Sequence, residues 1–188
     1  MKKIYLTLVT LFIITGCQKG KEENNSKMET IKQEVMAETK TEKNTDTPNK
    51  YQKTAFYFKV PDYKGGEIKL EDYQGKSVLV KFFTRDCPYC QKAAPFIEKI
   101  YEKYNDKGLG VIGISVRDDR EDAADFAQMF NLKYHIGYKG GETSRKYGIR
   151  GVPFIYLLDK NHELVQTWPG YDESYDKEIE RAIQKILK

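Results

Sequence analysis

The amino-acid sequence predicts an α/β fold built on a mixed central β-sheet with helices on both faces. Two segments, Ser77–Phe83 and Leu109–Val116, are nearly continuous in apolar and β-branched residues, as is typical of strands covered on both sides. Each is followed by a segment with helical spacing, and this alternation favours parallel pairing. Near the C-terminus, Pro153–Asp159 and Glu163–Trp168 are separated by only three residues, which forces an antiparallel hairpin.

Three helices are predicted from apolar residues that recur at intervals of three and four. The first follows Ser77–Phe83, and Gly108 ends it. The second covers Glu121–Phe130, and the third runs from about Glu173 to Leu187. The inward-facing residues are Ala93, Ile97, Ile100 and Tyr104 in the first helix and Ile179, Ile183, Ile186 and Leu187 in the third.

Three segments divide the 188 residues of the chain. Residues 1–16 are predicted to be a signal peptide, because two lysines precede a largely apolar stretch of eleven residues, too short to span a bilayer as a helix. Residues 17–53 are expected to be a disordered, charged tether, since residues 18–50 include no aromatic residue and balance seven lysines with seven acids. Residues 54–188 form the predicted folded domain, and their length suits a single domain.

The tetrapeptide Ile14–Cys17 follows the apolar segment directly and resembles the bacterial lipobox, in which the cysteine becomes lipidated. The resemblance implies an exported protein anchored by a lipid on Cys17 to the bacterial membrane, facing the periplasm or the cell exterior. Lipidation accounts for the odd one of three cysteines, so no disulfide framework holds the fold together. Removal of residues 1–16 takes away two lysines and lowers the formal net charge from +4 to +2, which is no signature of nucleic-acid binding.

The two remaining cysteines, Cys87 and Cys90, lie between the first strand and the first helix. A pair at this spacing can bridge itself, hold a metal or exchange with the disulfides of other proteins. Pro88 suits the first position of a helix, so Cys87 is expected at the helix N-terminus, where free N–H groups and the helix dipole stabilise a thiolate. Cys90 is expected to be shielded one turn further in. Cys87 is therefore the predicted nucleophile, and Cys90 the thiol that resolves the mixed disulfide.

A proline five residues after Cys90, Pro95, lies inside the predicted helix, where it removes a hydrogen bond and bends the axis. The strand, the C-x-x-C pair, the helix and this proline together resemble the thioredoxin superfamily. Residues 62–83 and 145–171 resemble its exported TlpA/ResA-like branch. The resemblance implies a thioredoxin-like fold and a thiol:disulfide oxidoreductase that uses the Cys87–Cys90 disulfide and needs no other cofactor and no metal.

The resemblance also implies further site residues. In the family, the proline that matches Pro153 follows a cis peptide bond and packs opposite the cysteines. The backbone of Val152 is then free to pair with an extended substrate segment. Pro88 and Tyr89, between the cysteines, help to set the redox potential and with it the direction of electron flow.

Three positions depart from the family pattern. Asp86 replaces the usual tryptophan before the first cysteine, and its charge opposes a thiolate unless Arg85 offsets it. Ala93 stands where many ResA-like reductases of cytochrome c maturation carry a glutamate. Lys81 stands where thioredoxins carry a buried acid that helps to deprotonate the second cysteine. We expect Lys81 to extend its amine to solvent; the alternative is a proton acceptor whose pKa burial lowers.

Two other functions use similar cysteines. Peroxiredoxins share much of this scaffold, and Thr84–Cys87 mimics their T-x-x-C motif, but the proline that they need at position 80 is Val80 here. Copper carriers of the Sco type use two cysteines and a distant histidine, and thiolates suit Cu(I). That family spaces its cysteines one residue wider.

The remaining polar features carry no predicted site. His162 is expected to be exposed in a tight turn, and His135 is expected in or beside a short strand between Leu132 and Tyr138. The acidic run Asp118–Asp125 is interpreted as a loop and a helix start.

The favoured function is a monomeric, membrane-tethered reductant of disulfide-containing exported proteins, supplied with electrons by a membrane donor.

Overall fold

The structure is a computed structural model of the 188-residue chain, and it describes residues 56–188. The predicted signal peptide at residues 1–16, the predicted lipid on Cys17 and the tether predicted for residues 17–53 all lie outside these described residues. Among the helices of residues 56–188, none combines the length and the apolar character needed to cross a bilayer.

Seven strands and four α-helices make up the described part of the chain. The strands are β1 (Lys59–Pro61), β2 (Glu67–Lys69), β3 (Ser77–Phe83), β4 (Leu109–Ser115), β5 (His135–Gly137), β6 (Phe154–Leu158) and β7 (Leu164–Pro169). The helices are α1 (Pro88–Tyr104), α2 (Arg120–Met129), α3 (Gly141–Lys146) and α4 (Asp176–Ile186). Short 3-10 turns cover Leu70–Tyr73, Asn105–Lys107 and Glu173–Tyr175.

The central sheet has five strands in the order β5-β4-β3-β6-β7. β4 pairs in parallel with both β3 and β5, whereas β6 is antiparallel to both β3 and β7. The mixed sheet predicted from the sequence is therefore confirmed. β3 lies at the centre and all seven of its residues are buried, which explains its nearly continuous apolar sequence.

Two hydrophobic cores lie on opposite faces of the sheet. Leu79 and Phe83 of β3 face the core that contains α1, α2 and α4. Val80 and Phe82 face the other core, which contains Tyr147 at the end of α3 and the β1–β2 hairpin. Helices thus cover both faces, as predicted. Because side chains alternate along a strand, Lys81 faces α1 and α2 together with Leu79 and Phe83.

The sequence patterns do not predict the β1–β2 hairpin or α3. Strands of three residues and a helix of six are too short to show a hydrophobic period. The hairpin turns at Gly65 and Gly66, whose φ angles of 108° and 77° suit glycine. A single bridge between Asp62 and Gly137 joins it to the edge strand β5.

His162 is buried, so the expectation of an exposed histidine in the β6–β7 turn is wrong. Its side chain is 0% exposed, and its ring Nε2 lies 3.1 Å from the carbonyl oxygen of Tyr73. The N–H of His162 donates to the carbonyl of Asp159, and this tight turn folds the ring back against the protein. Burial lowers the pKa of His162 and favours the neutral ring.

The Gly140→Ala variant tests the packing between α3 and the end of β4. The N–H of Gly140 donates to the carbonyl of Ser115 at 2.8 Å. A Cβ at position 140 would lie 2.7 Å from that oxygen and 2.3 Å from the Ile114 side chain, so the backbone must move. We expect a loss of about 1–3 kcal/mol in the free energy of unfolding, measured in urea.

Gly141→Ala is the matched control for this prediction. Its Cβ would lie 3.4 Å from the carbonyl oxygen of Val116, which is ordinary contact. Replacing a glycine at a compatible position is expected to leave stability unchanged or to raise it by about 0.4–1 kcal/mol. Equal losses in the two variants would show that the close approach at Gly140 is not the cause.

Candidate active site

The two cysteines lie just after the end of β3, at the start of α1. Cys87 is the N-cap of this helix, and Pro88 is its first residue. The Sγ of Cys87 accepts a hydrogen bond from the N–H of Cys90 at 3.2 Å. The sulfur thus takes the place of the oxygen in an ordinary N-cap, where unpaired N–H groups and the helix dipole stabilise negative charge.

The two sulfurs differ in their access to solvent. Cys90 is fully buried in the core between α1 and the sheet, whereas Cys87 is half-buried. The residues form a disulfide with their Cα atoms 5.1 Å apart. Cys87 is therefore the more accessible sulfur for an incoming group; its role as nucleophile and that of Cys90 as resolving thiol stay predictions.

Lys81 is fully buried, so the expectation that it extends its amine to solvent is wrong. Its Nζ donates to the carbonyl oxygen of Cys90 at 2.9 Å. The centres of the Phe83 and Phe126 rings lie 5.5 and 5.0 Å from the same nitrogen. Burial lowers the pKa of Lys81 to about 7, because the apolar surroundings disfavour the charged form.

Asp118 holds the loop that precedes Cys87, and the sequence patterns did not assign it to the site. Its Oδ2 accepts hydrogen bonds from the N–H of Arg85 at 2.7 Å and from the hydroxyl of Ser115 at 2.5 Å. Ser115 ends β4, so this carboxylate ties the end of β4 to the loop after β3. The N-cap of α2 is Asp119, which shows that the neighbouring acids of this run have separate roles.

Arg85 forms an ion pair with Asp86 and so offsets its charge. Its guanidinium lies 3.2 Å from the Asp86 carboxylate and also within 3.7 Å of Asp122 and 3.5 Å of Asp125 on α2. The Asp86 side chain is 89% exposed, so water screens its charge. Both effects weaken the electrostatic repulsion between Asp86 and a thiolate at Cys87.

The loop before β6 passes close to Cys87. The peptide bond between Val152 and Pro153 is cis, in agreement with the family resemblance. The carbonyl oxygen of Val152 lies 3.6 Å from Cys87 Sγ. Pro153 is buried and Val152 is half-buried, and pairing of β6 with β3 begins only at Phe154. Surface cavities of 220 and 340 Å³ share Val152 in their lining and flank this loop.

The other predicted residues of the site lie on α1. Pro88 and Tyr89 are exposed, with 58% of Tyr89 accessible, and they border the pair at the surface. Lys92 lies over the Tyr89 ring at 5.6 Å. Pro95 lies inside α1, as predicted, where it lacks the N–H that an α-helix directs to the carbonyl four residues earlier.

Neither histidine belongs to this site. His135 begins β5, as expected, and its Nδ1 lies 2.7 Å from the buried carboxylate of Asp62. His162 packs against the turn that contains Tyr73. Within residues 56–188, no group of three or more His, Cys, Asp or Glu side chains is arranged to hold a metal ion.

The architecture and the sequence match known proteins. The sequence profile of the AhpC/TSA family matches residues 51–173. Thiol-disulfide oxidoreductase ResA of Bacillus thuringiensis subsp. konkukian is 31% identical over 135 residues, which cover 71% of this chain and 77% of that protein.

Two solved structures share the fold. A thiol:disulfide interchange protein DsbE from Chlorobium tepidum gives a TM-score of 0.67 at 26% identity, over 70% of this chain and 94% of that one. A protein disulfide isomerase from Bacteroides thetaiotaomicron gives a TM-score of 0.66 at 28% identity, over 70% of this chain and 86% of that one. With the Cys87–Cys90 pair at the start of α1, these matches show that the chain belongs to the thioredoxin-like AhpC/TSA family, as a TlpA/ResA-like thiol-disulfide oxidoreductase.

Proposed function

We propose that this chain is an exported, membrane-tethered thiol:disulfide oxidoreductase that keeps the cysteines of exported proteins reduced. The exchange chemistry is carried by one observation: Cys87 Sγ lies half-buried at the N-terminus of α1, bonded to a buried Cys90. The relatives named thiol-disulfide oxidoreductase and thiol:disulfide interchange protein support the same reaction class. In addition to the exchange chemistry, we propose the membrane tether, the class of substrate and the direction of electron flow.

The exchange proceeds in two steps. The Cys87 thiolate attacks one sulfur of a substrate disulfide, a bond forms between them, and the second substrate sulfur leaves with the electron pair. The Cys90 thiolate then attacks Cys87 Sγ, the Cys87–Cys90 disulfide forms, and the first substrate sulfur leaves. The substrate gains two electrons and two protons, which the Cys87–Cys90 dithiol loses.

Val152 and Pro153 are proposed to position the substrate. Val152 precedes the paired part of β6, and its carbonyl oxygen is 3.6 Å from Cys87 Sγ. An extended substrate segment that pairs with this backbone therefore brings its own sulfur to Cys87. Pro88 and Tyr89 border the same opening and are proposed to tune the redox potential of the pair, while Pro95 shapes the helix that presents it.

Membrane attachment is proposed through a lipid on Cys17, with residues 17–53 as the tether and the domain facing the periplasm or the cell exterior. The lipobox-like sequence after the apolar segment supports this part of the proposal. Each round of substrate reduction leaves Cys87 and Cys90 oxidised, so a dithiol donor in the membrane must return two electrons. A lipid anchor keeps a monomeric domain close to such a donor.

The Cys90→Ser variant is expected to trap substrates. The first step proceeds in this variant but the resolving step does not, so mixed disulfides through Cys87 accumulate. They are measured as higher-mass bands on non-reducing gels of envelope extracts, and the bands disappear after reduction. Cys87→Ser is the matched control, which is expected to form no such bands and to reduce a small disulfide only at the background rate.

The opposite pattern contradicts the assigned roles. If Cys90→Ser captures nothing while Cys87→Ser keeps the wild-type reductase rate, Cys87 is not the nucleophile. Consumption of hydrogen peroxide without reduction of disulfides would instead support the peroxiredoxin alternative. Stoichiometric binding of Cu(I) by a protein that reduces no disulfide would support the copper carrier of the Sco type.

The reductant role predicts a low standard potential for the Cys87–Cys90 pair. We expect a value near that of thioredoxin, about −270 mV, because a donor must hold its electrons less tightly than its substrates do. The potential is measured by equilibration with thiol–disulfide buffers and alkylation of the free cysteines. A value near about −120 mV, as in DsbA, would reverse the proposed direction and leave the exchange chemistry intact.

Asp118 is proposed as a positioning residue for the nucleophile. Asp118→Ala leaves the N–H of Arg85 without its acceptor and frees the loop before Cys87, with an expected loss of about 1–3 kcal/mol in the free energy of unfolding. The pH midpoint for alkylation of Cys87 is expected to rise, because a loosened loop weakens the hydrogen bond to its sulfur. Removal of a nearby negative charge without displacement of the loop would lower that midpoint instead.

Two variants control the Asp118 prediction. Asp118→Asn retains an acceptor oxygen but no charge, and is expected to keep most of the stability while its alkylation midpoint stays at or below the wild-type value. Asp125→Ala removes a 57% exposed acid that also pairs with Arg85, and is expected to change stability by less than about 1 kcal/mol. A similar response in Asp125→Ala and Asp118→Ala would assign the effect to charge and not to the loop.

A further inference from the structure

Lys81 is a buried amine whose surroundings are almost entirely apolar. Its side chain is 0% exposed, and the hydrogen bond from Nζ to the Cys90 carbonyl oxygen is 2.9 Å long. The Phe83 and Phe126 rings lie about this nitrogen. One carbonyl and two ring faces replace only part of the hydration that an ammonium group loses on burial.

The elements that surround Lys81 bring no carboxylate to it in the described part of the chain. Its partners across the sheet are Gly113 on β4 and Ile155 on β6. The Phe126 ring comes from α2, and the α2 acids Asp122 and Asp125 pair with Arg85 at the surface. Burial alone lowers the pKa of Lys81 to about 7, so a large fraction of the amine is neutral at neutral pH.

The titratable residue that Lys81 contacts is Cys90, through its carbonyl oxygen. Cys90 must lose its proton before it can attack Cys87, because the thiolate is the nucleophile. Its complete burial works against this, since apolar surroundings raise the pKa of a thiol. A base inside the core, next to Cys90, therefore accelerates the resolving step.

We propose that Lys81 is the proton acceptor for Cys90 in the resolving step. The inference rests on the proposed function and adds to it the group that activates the second cysteine. The neutral amine takes the proton of the Cys90 thiol and becomes an ammonium. The Cys90 thiolate attacks Cys87 Sγ, the Cys87–Cys90 bond forms, and the bond from Cys87 to the substrate sulfur breaks with its electron pair on the substrate. The ammonium then returns its proton to the departing thiolate or to water.

Formation of the Cys87–Cys90 disulfide also explains how Lys81 returns to its neutral form. Once Cys87 and Cys90 are bonded, no thiolate remains in the core to balance an ammonium. The apolar setting then favours release of the proton from Lys81. Above about pH 7 the amine is mostly neutral before this step, so there the two buried charges form and disappear together.

The test follows release of a coloured thiol from a mixed disulfide at Cys87. The reduced protein reacts with an aromatic disulfide such as Ellman's reagent, and the second burst of 5-thio-2-nitrobenzoate reports attack by Cys90. In the wild type, the release rate is expected to rise with pH to a plateau with a midpoint near 7. In Lys81→Met the midpoint moves to the range of a buried free thiol, above about 8.5, so release at pH 7 is slower by at least about tenfold.

Two further variants separate proton transfer from hydrogen bonding and packing. Lys81→Gln keeps an N–H donor but has no titratable group, and is expected to behave like Lys81→Met. Lys81→Glu supplies a different proton acceptor and is expected to recover part of the release rate at pH 7. A wild-type pH profile in Lys81→Gln would assign Lys81 a hydrogen-bonding role only and overturn the proposal.

Stability of the oxidised variants shows whether they fold. The lowered pKa means that the unfolded chain binds more protons at Lys81 than the folded protein does between about pH 7 and 10.5. Wild-type stability from this group therefore falls as pH decreases through that window and stays low below it. Lys81→Met is expected to have the higher urea midpoint at pH 7, and this advantage is expected to shrink towards pH 10.5. A midpoint below that of the wild type at every pH would contradict the uncompensated burial of the amine.

The first burst distinguishes failure of this inference from failure of the proposed function. Cys90→Ser, with and without Lys81→Met, is expected to form the mixed disulfide at the same rate, because that step uses Cys87 alone. If neither variant forms it, the exchange function itself is wrong. If both form it and Lys81→Met resolves with the wild-type rate and pH profile, only the assignment of Lys81 is wrong.

Discussion

The hydrogen bond from the N–H of Cys90 to the sulfur of Cys87 is the interaction on which the rest of the structure depends. At 3.2 Å it places the sulfur at the positive end of a helix of 17 residues, where the N–H groups of the first turn have no partners inside the helix. The helix N-terminus itself stabilises a thiolate in this position. This helix end must be fixed in position and accessible to substrate. The buried residues Ala93, Ile97 and Ile100 fix α1 against the sheet, while its first turn lies at the surface.

The sheet topology explains why three distant parts of the chain meet at this sulfur. β3 and β4 are parallel, so both end at the same edge of the sheet, and β6 is antiparallel to β3, so it begins there. The loop after β3 brings Cys87, the segment after β4 brings Asp118, and the residues before β6 bring Val152. Loops at the carboxyl ends of parallel strands commonly form binding sites for this reason. The site therefore forms only because the strands of the sheet run in these directions.

The sequence predicted what depends on long, regular patterns. Ser77–Phe83 matches β3 residue for residue, and the C-x-x-C sequence with Pro88 located the start of α1, because burial on two faces and a proline at a helix start leave clear local signals. Contacts between distant segments left no such signal. Asp118 reaches an N–H 33 positions earlier, from within an acidic run that reads as a helix start. The sequence predicts an exposed His162 because turns are usually polar and lie at the surface, but the turn itself directs the ring into the protein. Lys81 alternates with Leu79 and Phe83, but a lysine side chain is long enough to reach either core or solvent.

The sign of the charge at position 81 has a physical consequence for a buried dithiol. A carboxylate in the core carries its charge before it accepts a proton, and after the transfer the thiolate is left as an isolated anion. An amine is neutral beforehand and becomes positive at the moment when the thiolate forms, so the attraction between the two charges is strongest where the dielectric constant is lowest. The core around Cys90 contains the Phe83 and Phe126 rings and Ala93, with no carboxylate contributing to the pKa of Lys81 among residues 56–188. Such a core tolerates a neutral amine between reaction cycles better than a permanent anion.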